Sequence, residues 1–131
     1  VAPRHESRER ALGLCYEWEV RGISAADLLA GLPTPPDDYA RELLEGVAAH
    51  HDSIDALLGK YSEHWTVERM PAVDRAVLRL GCYELVHAPD IPTPVVITEA
   101  VELAKEYSTK DSGRFVNGLL ARIAQQVREP V

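Results

Sequence analysis

Two sets of residues in this chain have types and spacings that chemistry uses. The first would serve metal or catalytic work. Glu84 and His87 stand three apart, the spacing at which helical carboxylate and imidazole ligands hold a di-iron centre. Such a centre needs a second Glu-x-x-His and two more carboxylates on facing helices, and the sequence offers no second copy. His50-His51-Asp52 supplies donor atoms, but adjacent helical residues point about 100° apart and do not converge on one ion. Phosphate-cradling G-x-x-x-x-G-K-[ST] and G-x-G-x-x-G are absent, as is the nucleophile elbow G-x-S-x-G. The expectation is therefore no enzyme, no metal and no cofactor, with His87 a solvated helix end.

The second set suits binding. Arg4, Arg8 and Arg10 cluster near the start, and Tyr107, Lys110, Asp111 and Arg114 cluster later. The planar guanidinium fork matches phosphates and base edges, and an aromatic ring beside cations stacks an unpaired base. Against this stands a net charge of −7, which repels nucleic acid. RNA contact thus requires a local basic surface or a partner that brings positive charge. Glu6 and Glu9 interrupt the first arginines; a solvated helix start is the alternative reading of them, but arginine near a helix N-terminus opposes the dipole, which favours an external use.

Stepping from these residues to the elements that carry them, hydrophobic spacing predicts helices throughout. Ala11, Leu14, Cys15 and Trp18 recur at three and four, a helix starting near His5 or Ser7 and ended by Gly22. Ser24 N-caps a short second helix carrying Asp27, Leu28 and Leu29. Pro33, Pro35 and Pro36 stiffen a connector. From Asp37 or Asp38 a single long helix is expected as far as Tyr61, with Leu43, Val47, His50, Ile54, Leu57 and Leu58 on one face. Pro71 opens the next helix, whose inner stripe is Val73, Val77, Leu80, Gly81 and Leu85. Thr93 is expected to cap a helix with Pro94 at its first position; Ile97, Ala100, Val101 and Ala104 face inward. Asp111 caps the last, with Phe115, Val116, Leu119, Leu120, Ile123 and Val127 inside. Gly118 in that helix implies a closely approaching neighbour, because glycine there is otherwise costly. Arg79 and Glu84 are expected to pair with neighbouring helices, and Glu99 with an arginine. No run alternates as a strand does. The expected fold is all-α, one domain over residues 1–131 with six or seven helices.

Cys15 and Cys82 fall inside helical apolar patterns without C-x-x-C spacing, which fits small buried hydrophobes in a reducing compartment. No run of 18 apolar residues spans a membrane, and the opening V-A-P-R-H-E-S-R-E-R lacks a signal-peptide core. A cytoplasmic location is expected.

Four blocks then carry a resemblance: S-R-E-R-A-L-G-L-C-Y-E-W-E, V-D-R-A-V-L-R-L-G-C-Y-E-L, V-V-I-T-E-A-V-E-L-A-K-E-Y and D-S-G-R-F-V-N-G-L-L. In this order, from about Ser7 to Gln126, they resemble the NusB family of transcription antitermination proteins. The resemblance implies an all-helical, non-catalytic protein that binds the boxA element of nascent ribosomal RNA transcripts. It does so together with NusE, a small-subunit ribosomal protein, and helps the RNA polymerase antitermination complex read through terminators. It implies RNA contact for Arg4, Arg8 and Arg10, which match an arginine-rich segment, and for Tyr107 and Asp111, with Lys110 and Arg114 beside them. It implies a NusE-facing role for Tyr16 and Asp74, with Arg75 alongside. Arg8, Arg10 and Tyr107 are then expected to share one groove. Three other readings stay open at this point: a protein-only adaptor, the N-terminal domain of a ribosomal RNA cytosine methyltransferase, and a homodimer that masks the arginine-bearing surface.

Overall fold

The computed structural model describes residues 3–63 and 65–128, which form seven α-helices and one 3-10 turn and no strand. In chain order they are α1 (Arg4–Arg21), α2 (Ala25–Ala30), α3 (Asp38–Ala49), α4 (His51–Tyr61), the 3-10 turn (Val67–Arg69), α5 (Ala72–His87), α6 (Thr93–Tyr107) and α7 (Ser112–Val127). Among these residues no helix is long and apolar enough to cross a membrane.

Local chemistry fixes most boundaries. Gly22 ends α1 at φ 64°, the left-handed conformation that glycine adopts without a Cβ penalty. Ser24 caps α2 by accepting the Asp27 N–H at 3.0 Å. Asp37 caps α3 through the Ala40 N–H and also accepts the Ser7 hydroxyl at 2.6 Å, tying α1 to α3. Two expected caps differ. Thr93 is already helical, with Pro92 in the cap position. Asp111 occupies the cap position of α7, but its side chain makes no cap hydrogen bond. Ser112 instead ties the preceding turn to the helix start by accepting the Thr109 N–H at 3.3 Å.

The long helix expected up to Tyr61 is broken. His50 stands between α3 and α4 at φ −109°, ψ 21°, outside helical geometry. Instead of facing the core it is exposed, and its ring stacks on His87 with centroids 3.9 Å apart. The bend lets α3 lie along α1 while α4 turns toward α5 and α7.

α5 is the centre of the molecule. It packs against α1, α3, α4, α6 and α7. Its buried residues run unbroken from Ala76 to Cys82 and include Asp74, Glu84 and Leu85, so it is enclosed on every side rather than along one stripe. Tight approaches occur at Gly46, where a Cβ would overlap the Tyr83 ring, and at Gly81, where it would meet Leu120 at 2.7 Å. Gly118, expected to mark such an approach, has only the Arg122 guanidinium nearby, at 3.5 Å. The closest helix contacts are thus made by the glycines of α3 and α5.

Arg128 closes the fold. Its guanidinium donates to the carbonyls of Leu85, Ile91, Glu84 and Ala88 at 2.5–3.1 Å, and to the Thr93 hydroxyl at 3.2 Å. These carbonyls lie at the end of α5 and in the turn that follows; those of Glu84 and Ala88 also accept the Ala88 and Ile91 N–H groups.

Candidate functional site

The burial of α5 has a consequence for α1. Arg8 faces α5 from α1, and it is 4% exposed. Its Nε and Nη2 donate to the Glu84 carboxylate at 2.9–3.2 Å, and its Nη1 reaches Glu99 at 3.4 Å. Tyr39 adds its hydroxyl to the same Glu84 carboxylate. Burial works against the charge of Arg8, but the hydrogen bond and proximity of Glu84 outweigh it and hold the guanidinium protonated. Arg8 therefore has no open face for RNA. The sequence expectation for it is corrected: a buried charge demands a buried partner, and Glu84 is that partner.

The other members divide. Arg4 is exposed and lies over the Tyr39 ring, 4.2 Å from its centroid. Arg10 is exposed and donates one hydrogen bond to the Thr34 carbonyl at 2.9 Å, on the α2–α3 side of α1. Tyr107 is also exposed but lies on the other side, where its hydroxyl donates to Glu9 at 2.6 Å. Glu9 and Arg10 are neighbours in a helix, hence about 100° apart. Arg8, Arg10 and Tyr107 consequently do not share one groove, contrary to expectation.

What the structure does bring together is a groove of about 250 Å³ between α1 and the end of α6, lined by Glu9, Leu12, Gly13, Tyr16, Val73 and Tyr107. Gly13 has open space above it, and Tyr16 and Tyr107 are each more than 40% exposed. Val20 continues the strip along α1 at 63% exposure. The Tyr107 hydroxyl is pushed up to about 12 by its bond to Glu9, so it stays a proton donor. Glu9, Gly13, Tyr16 and Val20 follow one another at four, three and four, a second stripe on α1 that the search for a core stripe passes over. Gly13 and Val20 were missed for that reason, and Val73, expected on the inner stripe of α5, instead lines the groove.

Lys110, Asp111 and Arg114 are exposed at the α6–α7 turn beside Tyr107. The turn is fixed from beneath. Asp74, 1% exposed, accepts the hydroxyls of Ser108 at 2.5 Å and Ser112 at 2.9 Å. Asp74 is thus buried under the surface it was expected to form, and it positions the turn rather than meeting a partner. Arg75 is likewise occupied: Nε and Nη2 bind Glu19 at 2.6 and 2.8 Å, and Nη1 binds the carbonyls of Val67, Glu68 and Met70. Arg79 joins the same Glu19 at 2.7 Å and grips Asp55 with two donors. A larger groove of about 810 Å³ lies over this network, lined in part by Trp18, Glu19, His51, Asp55, Arg75 and Arg79, but its charges satisfy one another. The pairings expected for Arg79, Glu84 and Glu99 are all present. Both thiols are buried, and burial pushes Cys15 and Cys82 up to about 12, where neither is a nucleophile.

An all-helical body with its thiols sealed in and its tyrosines, valine and cations displayed along one helix and one turn is a scaffold that presents a surface. The chain belongs to the NusB family, whose model matches residues 5–125. It is 52% identical over 130 residues to the transcription antitermination protein NusB of Saccharopolyspora erythraea, covering 95% of this chain and 88% of that one. Among solved structures it is similar to NusB of T. maritima, with TM-score 0.86 and 37% identity over 98% of this chain and 94% of that one. It is similar also to a chain in the crystal structure of antitermination factors NusB and NusE in complex with dsRNA. There the TM-score is 0.81, with 29% identity over 94% of this chain and 96% of that one.

Proposed function

We propose that this chain, acting as one helical domain over residues 1–131, is a non-catalytic transcription antitermination factor of the cytoplasm. It binds boxA-type RNA of ribosomal RNA operon transcripts together with NusE and joins the RNA polymerase antitermination complex. The observation that carries this reading is family membership across nearly the whole chain, next to a similar NusB seen in complex with NusE and RNA. On this chain the groove of Glu9, Gly13, Tyr16 and Tyr107 supplies apolar contact. The turn that bears Lys110 and Arg114 supplies cations for phosphate, with Arg4 and Arg10 on the far side of α1 as a second contact line. Because the chain carries −7, NusE contributes charge that the RNA requires.

The test is a titration of fluorescent boxA RNA with the protein, alone and with NusE, beside a scrambled RNA. Tighter binding of boxA, strengthened by NusE and weakened by salt, is expected. Equal affinity for both RNAs in every arm overturns the reading. The enclosure of Arg8 favours one alternative, a protein-only adaptor. Reversing Arg10 and Lys110 to glutamate separates the two: an adaptor keeps its place in the NusE complex and shows no RNA affinity to lose.

A further inference from the structure

The N-terminal turn of α1 and the second half of α6 bring together a group of side chains of which the proposed function uses only Glu9. His5 and Glu9 stand four apart on one face of α1, and Glu106 comes from α6. One donor atom from each of the three lies within 4.8 Å of the others. The His5 Nε2 is 3.6 Å from Glu9 Oε1, and its Nδ1 is 3.0 Å from Glu99 Oε2. Glu99 is in turn 3.4 Å from the buried Arg8 guanidinium, and Tyr107 holds the other oxygen of Glu9.

From this geometry we infer a binding site for one divalent transition-metal ion of the zinc type, with His5 Nε2, Glu9 and Glu106 as ligands. Three features favour an ion over a plain ion pair. Ligating histidines almost always give their second ring N–H to a carboxylate, a backbone carbonyl or water, which fixes the tautomer and aims the free nitrogen. Glu99 stands where that carboxylate belongs, itself anchored by Arg8. Secondly, metal bonds of about 2.0–2.1 Å put tetrahedral ligand atoms about 3.3 Å apart. The 3.6 Å between His5 Nε2 and Glu9 Oε1 needs little closure. Finally, Glu9, Glu99 and Glu106 crowd one imidazole, a local excess of carboxylates that a divalent ion balances. One nitrogen with two carboxylate oxygens suits zinc and its neighbours, whereas magnesium and calcium choose oxygen-only sets. Three protein ligands leave a coordination position for water or an incoming oxygen. The site touches the proposed binding groove at Glu9 alone, and an ion here removes negative charge from the edge where Tyr107 stands.

The experiment is calorimetric titration of the full chain with zinc chloride at mildly alkaline pH, followed by nitrogen chemical shifts of the histidine rings. One site is expected, with the His5 Nε2 resonance moved. His5→Asn and Glu106→Gln should each abolish it while leaving the thermal melt in place, since both residues are exposed. Glu99→Gln should weaken it by about 10-fold or more, as loss of an orienting carboxylate does. The doubly substituted His50→Asn, His87→Asn protein removes the other surface histidine pair and should bind as the parent does. Binding that survives His5→Asn, that disappears with His50 and His87, or that stays weaker than millimolar overturns the inference.

Discussion

The seam where α1 lies on α5 and the rim where α1 meets the end of α6 are built from the same residue types and behave oppositely. At the seam, Arg8 is enclosed with Glu84 and Tyr39, and further along Glu19 bridges Arg75 and Arg79. At the rim, Glu9 and Tyr107 pair in the open beside Tyr16, and Lys110 and Arg114 face solvent. The difference is burial. An enclosed charge is committed to its partner because its solvation is gone, whereas an exposed one exchanges partners at little cost. Residue type alone therefore does not separate scaffold from surface in this protein; the neighbours do.

Breaking the seam should cost most. Arg8→Ala leaves the Glu84 carboxylate buried without its cation, an expected loss of about 3–5 kcal/mol in urea unfolding. Replacing Arg8 and Glu84 together by methionine and leucine should restore most of that, and failure to do so would show that the pair specifies the packing. Asp74→Ala removes the acceptor shared by the Ser108 and Ser112 hydroxyls and should cost about 1–3 kcal/mol, with amide exchange quickening in the α6–α7 turn. A milder change is expected at the other end of the seam. Burial alone would raise the Glu19 carboxyl, but hydrogen bonds from Arg75 and Arg79 outweigh it and hold the group below its ordinary 4.5. A carboxyl lowered on folding stabilises above its ordinary value and loses that contribution as pH falls through the folded one. Glu19→Gln should thus flatten the fall in melting temperature on acidification below 4.5. The rim gives the smallest effect on stability: Tyr107→Ala should leave the urea midpoint unchanged yet weaken boxA binding by about fivefold or more. A large loss of stability there would erase the distinction between the two regions.

The same contrast explains what could be read from the sequence. Stripes of leucine, valine and isoleucine announce helices whether or not the fold is known, so the all-α architecture and most boundaries were legible. The break at His50 was not, because the three-and-four spacing runs through it without interruption from Val47 to Ile54. The depth of α5 was hidden by Asp74, Arg79 and Glu84, which a hydropathy pattern assigns to solvent. Arg8 was misplaced for the same reason: its partner is 76 residues away, and no local spacing reveals it. The groove went unread because Glu9, Gly13, Tyr16 and Val20 share a face but not a polarity.

Arg128 has a mechanical meaning. Tension applied beyond it is carried first by one planar group spread over four carbonyls and a hydroxyl, all belonging to the end of α5, the turn after it and the start of α6. Those bonds are loaded together, as in shear, before α7 is peeled away one turn at a time. The last helix of the chain thereby inherits the resistance of the most enclosed one.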